Sequence, residues 1–460
     1  MSVLGVFCPF WSDEGPHFIL PHFQGMMKTL GIDVSIIDLN IEAAVVLKDS
    51  WYDLVQNNNG IWNKSQIVSN SVEKSGIIER IDKAIDIQEP TWLFFLGVNI
   101  ASYQVVRFLI KNVRSKFSNR IRIAVGGPLC VVIKESVNFF PEADLIWQGT
   151  LESAIPILIE QQKLTQDYSC HRFLPDYTDI DYTKYSKPER LSYMLNYGCR
   201  FRCRYCHEGS QYDQEITRPT SRLANHLKTI VASLPTVKYV RFFDSSLNSN
   251  HSQFLDILDE LDGENLLWVC NLVPMPYVNQ SFGTRMRSSG CMHINIGVES
   301  GSVAVRKLMG KPTQLDVVEY CIRELHAAGV DVSINLMIGY PGETENDFNE
   351  TLLFTSRVAD FVSHVAVSIT GIFAGTPLFA EAEKLGINLN GDAHNDILFF
   401  HWSLREGTNT LPVRIERLQR IETHLEQFGL KDFITPDNGD DERRAKVMLQ
   451  KYKDTPCKFS

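Results

Sequence analysis

No apolar run in this 460-residue chain reaches the ~20 residues that span a bilayer. It has no block of clustered Lys and Arg, and its formal net charge is −10. Duplex nucleic acid, whose phosphates demand clustered cations, is therefore not expected as a partner. The start, Met1 to Phe7, lacks the basic residues and long apolar stretch of a secretory signal and reads as a buried strand. A cytoplasmic protein without membrane contact is the expectation. Internal repeats and low-complexity tracts are absent. Seven of the ten cysteines are scattered, which argues against a disulfide framework. A 44% hydrophobic and 22% charged composition is that of a globular chain, long enough for two or three domains.

What is present is an alternation of strand and helix patterns. Residues 1–163 read as strands at Val3–Phe7, Asp33–Ile37, Trp92–Val98, Ile121–Val125 and Leu145–Trp147. Helices are expected at His17–Leu30 and Tyr103–Phe117, and 41–90 reads as a polar insertion, Asn-rich at 57–59. A βαβ series of this kind makes a doubly wound parallel sheet, with ligands outside the carboxyl ends of its strands. Gly126 and Gly127 stand at such an end. Residues 164–190 read as a linker.

Residues 191–380 repeat the alternation six times, with strands at Ser192–Asn196, Tyr239–Phe243, Leu267–Val273, His293–Val298, Val332–Ile338 and His364–Thr370. Six βα units make three-quarters of a barrel, whose chemistry belongs at the carboxyl ends. Residues 381–460 read as a small helical appendage with Ile415, Leu418, Ile421, Leu425 and Phe428 on one face, and 436–444 as an exposed charged stretch. Cys457 is too near the terminus to place.

One motif carries chemistry: Cys199-Arg-Phe-Arg-Cys203-Arg-Tyr-Cys206, spaced C-x3-C-x2-C. Three thiolates on one loop can hold three irons of a [4Fe–4S] cube and leave the fourth open. Zinc would call for a fourth ligand at matching spacing, and His207 is adjacent to Cys206. Arg200, Arg202 and Arg204 read either as a solvated loop face or as a positive rim for an anionic substrate or an electron donor.

The motif resembles that of the radical S-adenosylmethionine (SAM) superfamily, and the strand ends that follow extend the resemblance. It implies that Cys199, Cys203 and Cys206 ligate iron and that the open iron binds SAM. Tyr205 then lies by the adenine, Asp244 and Ser245 by the amino end of SAM, Glu299 holds SAM by a charge-assisted hydrogen bond, and Asn335 opens the stretch that packs on adenine and ribose. The first half resembles the cobalamin-binding domain that precedes the barrel in one branch, through Asp38-Leu-Asn40, Gly126-Gly127-Pro128, the Gly149-to-Glu152 turn and the Leu174-Pro-Asp-Tyr linker. The resemblance covers about residues 1–380. The Asp-x-His-x-x-Gly motif whose His ligates cobalt is missing. His17 and His22, which flank a helix start, read either as facing cobalt or as surface helix residues, the second being favoured.

The implied architecture is α/β: a cobalamin-binding-like sheet over 1–163, a linker over 164–190, a partial (β/α)6 radical SAM barrel over 191–380 and a helical appendage over 381–460. The implied activity is reductive cleavage of SAM to functionalise an unactivated carbon of a peptide or secondary-metabolite intermediate, with cobalamin and radical C-methylation favoured. An electron donor of flavodoxin or ferredoxin type is the implied partner. One alternative is a cobalamin-independent epimerase or rearrangement enzyme, with Cys270 donating a hydrogen atom if it faces the lumen; otherwise Cys270 is a small core residue. Another is a non-catalytic iron–sulfur or corrinoid sensor. Methylthiotransferase chemistry is disfavoured, since the N-terminal half holds only Cys8, Cys130 and Cys170, far apart.

Overall fold

A computed structural model describes residues 1–48, 51, 65–154, 173–390, 397–399 and 401–430. The stretches 57–59 and 436–444, the start of the linker, Cys170 and Cys457 lie outside the described residues. No described helix is long and apolar enough to cross a membrane.

The first sheet has five parallel strands, β1 (Ser2–Phe7), β2 (Asp33–Asp38), β3 (Trp92–Leu96), β4 (Arg122–Gly126) and β5 (Leu145–Trp147), in the order β2-β1-β3-β4-β5. Period-two alternation sorts its side chains into two layers. Leu4, Val6, Leu93 and Phe95 pack with helices Ile77–Gln88 and Tyr103–Phe117; Val3, Phe7, Phe94 and Leu96 pack with helix Ile19–Thr29. With both faces covered, β3 is apolar throughout. The strand order turns at β1 and β3, which opens a ligand crevice at the carboxyl edge there.

The polar reading of 41–90 needs correction. The segment includes helices Leu39–Leu47, Ser65–Ser75 and Ile77–Gln88. Ile77, Ile81 and Ile85 form a buried stripe at helical spacing, diluted in sequence by the charges between them. At roughly 1.5–3 kcal/mol per buried side chain, that stripe holds a helix whose outer face is charged.

The second sheet has six parallel strands in sequence order, β6 (Arg190–Tyr193), β7 (Tyr239–Phe242), β8 (Leu267–Leu272), β9 (Cys291–Glu299), β10 (Asp331–Ile338) and β11 (His364–Ile369). Leu191, Val240, Phe242, Trp268, Cys270, Ile294, Ile296 and Ile334 join the core under the outer helices. The alternate residues Arg241, Asn271, His293, Asn295, Ser333 and Asn335 therefore face the lumen. The connection after residue 173 ties the sheets together: Tyr185 Oη donates to Asp38 Oδ2 at 2.6 Å, and Lys187 Nζ to Glu14 Oε1 at 2.6 Å.

The described part of the C-terminal portion carries helices Pro377–Ala380 and Leu411–Glu426 and two short antiparallel pairs, Ile372–Phe373 with Leu398–Phe399 and Ile387–Asn388 with Ser403–Leu404. In its helix Leu411–Glu426, the buried face is Arg414, Arg417, Ile421 and Leu425. Ile415, expected on that face, is exposed, as is Phe428 beyond the helix end. The two arginines displace them because each finds a buried partner: Arg414 stacks on Trp402 at 3.9 Å and Arg417 pairs with Glu343 at 2.8 Å.

Candidate functional site

The three motif cysteines lie on the loop between β6 and the short helix Glu208–Gln211, all free and partly exposed. Burial pushes the thiols of Cys199 up to about 11 and Cys206 up to about 12. The loop is stapled at its base, where Tyr197 bridges to Ile216. It is braced further by the arginines between the cysteines. Arg202 donates to the carbonyls of Cys199 (2.7 Å), Gly209 and Asp213 (both 2.5 Å), Arg200 to that of Ser249 (2.7 Å), and Arg204 pairs with Glu381. This corrects the positive-rim reading: the arginines are spent on holding the loop. No three His, Cys, Asp or Glu side chains converge on a single ion among the described residues. A cube does not require that, because each thiolate binds its own iron, so the donor set fits a cluster. His207 is taken by Glu208 at 3.1 Å.

Glu299 ends β9 at φ 71°, a left-handed conformation that costs a non-glycine residue about 1 kcal/mol. Its Oε1 lies 3.6 Å from Lys311 Nζ, which is 3.4 Å from Tyr205 Oη. The structure thus brings Glu299 and Tyr205 together, and adds Lys311, which the sequence reading missed. Asn335 faces the lumen beside the β9–β10 irregularity.

Asp244 requires a correction. Its carboxylate is buried and accepts the backbone N–H groups of Leu195 (3.1 Å) and Asn196 (2.8 Å). Burial raises its pKa to about 6. It braces the entry to the cysteine loop instead of presenting oxygens to a ligand. Its neighbour Ser245 does reach the cavity described below, where it donates to Glu208 at 2.9 Å. Glu208, two residues after Cys206, is a second site residue the sequence reading missed; only its proximity to the motif pointed to it. Cys270 requires a correction too. It is fully buried in the helix-facing layer, while the adjacent Asn271 faces the lumen. Alternation along the strand, not mobility, keeps the thiol from the lumen.

A cavity of about 550 Å³ lies between the carboxyl edges of the two sheets. Phe10, Gly97, Gly126, Gly127 and Trp147 line it from the N-terminal side, and Met194, Gly198, Glu208, Phe243 and Ser245 from the barrel. Its walls are mainly apolar, with polar groups few and local, as ligand cavities commonly are. At Gly126 a Cβ would fall inside the Trp147 indole, and at Gly127 on the backbone of Val98. The two glycines let neighbouring walls close up, and their backbone forms part of the cavity surface.

His17 and His22 are buried, which corrects the surface reading. His17 stacks between Phe7 (4.5 Å) and Phe18 (4.2 Å) and lines the cavity. Burial lowers its pKa to about 3, so it is neutral. Its Nδ1 accepts the N–H of Ile19 at 3.2 Å, which leaves the proton on Nε2 and no free lone pair for a metal. His22 joins Glu152 (2.8 Å) and Arg218 (2.7 Å) in a buried cluster that ties the N-terminal half to the barrel, and Arg218 also donates to Tyr197 Oη at 2.9 Å. Burial alone would raise the Glu152 pKa; His22 and Arg218 beside it hold it down at about 2.

Residues 193–355 match the family model of the radical SAM superfamily. Among curated proteins, the tRNA-2-methylthio-N(6)-dimethylallyladenosine synthase of Nitrosospira multiformis is 23% identical over 328 residues, 66% of this chain and 62% of its own length. The protein of that name from Chloroflexus aurantiacus is 26% identical over 191 residues, 39% of this chain and 41% of its own. The chain thus spans less than two thirds of these relatives. Among solved structures, the radical SAM methyltransferase TsrM of Kitasatospora setae, with tryptophan substrate and aza-SAM bound, aligns with a TM-score of 0.66 at 13% identity, covering 93% of this chain and 89% of its own. The cobalamin-dependent SAM radical enzyme OxsB, with aqua-cobalamin bound, aligns at 0.64 and 16%, covering 89% and 65%. At these identities the likeness is one of fold. Residues 193–355 accordingly match the radical SAM superfamily, which implies a [4Fe–4S] cluster and SAM for that domain, and the chain as a whole shares the two-sheet fold of TsrM and OxsB.

Proposed function

We propose that this enzyme works on an unactivated carbon of a small molecule or peptide inside the cavity between its two sheets, with cobalamin held at the N-terminal edge and methyl transfer as the outcome. The observation that carries the reading is the cavity itself: its one wall is the carboxyl edge of a doubly wound sheet and its other the cysteine loop. The fold neighbours TsrM and OxsB, each described with cobalamin bound, support it.

When bound, the cluster with SAM supplies a radical able to take hydrogen from carbon, and cobalamin supplies a methyl carrier. The protein's part is to bind, orient and exclude water. In this reading Cys199, Cys203 and Cys206 hold iron, and the arginine staples keep the loop in one shape. Glu299, steadied by Lys311, accepts hydrogen bonds from SAM. Glu208 and Ser245 face the amino end of SAM, in the place first given to Asp244. Tyr205 and Asn335 flank the adenosine. The backbone at Gly126 and Gly127 and the His17 face would hold the corrin, which would supply the methyl carrier. An electron donor of flavodoxin or ferredoxin type completes the system.

The curated relatives are named for tRNA methylthiolation. Against that activity here, Cys8 and Cys130 are buried core residues, the chain is acidic, and the loop arginines hold nearby carbonyls and Glu381. The test is anaerobic turnover of reconstituted full-length protein with methyl-labelled SAM, with and without hydroxocobalamin. Formation of 5′-deoxyadenosine together with cobalamin-dependent S-adenosylhomocysteine is expected. 5′-Deoxyadenosine without any cobalamin dependence would favour the cobalamin-independent reading, and neither product would overturn both.

A further inference from the structure

Among the described residues, Arg241 in the lumen beneath the cavity has no carboxylate partner. Arg241 lies in the middle of β7, deep in the molecule, yet part of its surface stays open, on the lumen side. Of its five N–H donors, the structure uses one, to Asn271 Oδ1 at 2.8 Å. No carboxylate lies within ion-pair distance of it among the described residues. The Cys270 thiol and the Tyr239 phenol lie near it, and the one carboxylate among the described residues that acts on it, weakly, is Glu14, whose oxygens are already taken by Lys187 (2.6 Å) and Arg190.

His293, Asn295 and Ser333 satisfy one another on the far side of the lumen. His293 bridges Asp331 and Ser333, both at 2.9 Å, and Ser333 donates to Asn295 at 3.1 Å. Above Arg241 stands Phe243, whose ring lies 5.8 Å from the guanidinium and lines the apolar cavity. A half-buried cation without a counter-ion is poorly solvated, and an anion entering with a ligand removes that cost.

We propose that Arg241, beside Asn271, is a subsite for the carboxylate of an organic acid whose apolar part occupies the cavity next to Phe243. A single guanidinium fork matches a carboxylate in two parallel hydrogen bonds. A phosphate, with its greater charge, would call for further cations or a nest of backbone N–H groups, and the neighbouring Arg190 is committed to Glu14. The subsite deepens the reading above by naming a substrate class, and it rests on that reading only in calling the bound acid a substrate.

The test uses binding alone, so a failure of SAM chemistry leaves it intact. Full-length protein is titrated with phenylacetate, phenylacetamide and phenyl phosphate, followed by ligand-observed NMR. Phenylacetate should bind about tenfold more tightly than the amide, the weight of one charge-assisted contact. R241Q should erase that difference, and R241K should keep part of it. Circular dichroism and iron content check that each variant is folded; should R241Q misfold, the acid-to-amide ratio in wild type and R241K decides. Equal binding of acid and amide, a folded R241Q that keeps the preference, or tighter binding of phenyl phosphate would overturn the proposal.

Discussion

The two carboxyl edges that face each other across the cavity are built in opposite ways. The N-terminal edge is shaped by packing: Gly126 admits the Trp147 indole, Gly127 admits the Val98 backbone, and His17 is neutral and stacked between rings. The barrel edge is shaped by polar pairing: arginines hold loop carbonyls, Glu299 faces Lys311, and Glu208 takes Ser245. An apolar edge with backbone surface suits a large flat ligand held by shape. A paired, charged edge suits SAM and a cluster, where charge must sit in fixed places. The difference teaches that the halves should fail separately when mutated.

The largest effect is expected on the barrel side. Cys203→Ala should abolish cluster assembly and SAM cleavage, read as iron content and 5′-deoxyadenosine, while corrinoid binding to the N-terminal edge survives. Loss of both together would break the comparison.

Next comes the cluster that joins the halves. Arg218→Met leaves Glu152 and His22 buried without their cation, at a cost of about 3 kcal/mol, read as lost stability in urea. The same group sets an acid limit. The Glu152 pKa is depressed from 4.5 to about 2 in the folded protein, so its stabilisation is complete above about pH 4.5 and is lost as pH falls through about 2. That contribution is ~3 kcal/mol at most. Glu152→Gln should flatten stability against pH in that window, and above pH 5 should lower stability by a constant amount without changing its slope against pH.

Glu299→Ala should weaken SAM binding about tenfold by removing one charge-assisted contact, with the cluster spectrum intact. Unchanged SAM affinity would remove Glu299 from the site. The smallest effect is expected at Cys270. Since it packs in the core, Cys270→Ala should cost ~1 kcal/mol as a small cavity and leave product and solvent-deuterium incorporation as in wild type. Accumulated abstraction without product would return the thiol to the mechanism.

Much of the fold was legible because buried parallel strands are short apolar runs bounded by turns; the helix at Tyr103–Phe117 was read to the residue. The cysteines were legible because their chemistry demands local spacing. What stayed hidden is long-range. His22, Glu152 and Arg218 stand up to 196 residues apart in sequence, and no local pattern announces that they meet. Asp244 looked like a ligand-facing strand end, since the two N–H groups that consume it belong to another strand's exit. Alternation fixes that 270 and 271 oppose each other but not which one faces inward; the partners of Trp268 decide that. Charges between Ile77, Ile81 and Ile85 masked a helix, and buried arginines displaced the apolar face expected at Ile415.

The most direct test of one shared site between the two edges is electron paramagnetic resonance of full-length protein carrying both the cluster and Co(II) cobalamin. The expected spectrum shows no histidine-nitrogen coupling to cobalt, because His17 Nδ1 is held by the Ile19 N–H, and a Co(II) signal broadened when the cluster is reduced. Failure to retain cobalamin, or a Co(II) signal indifferent to the state of the cluster, would contradict it.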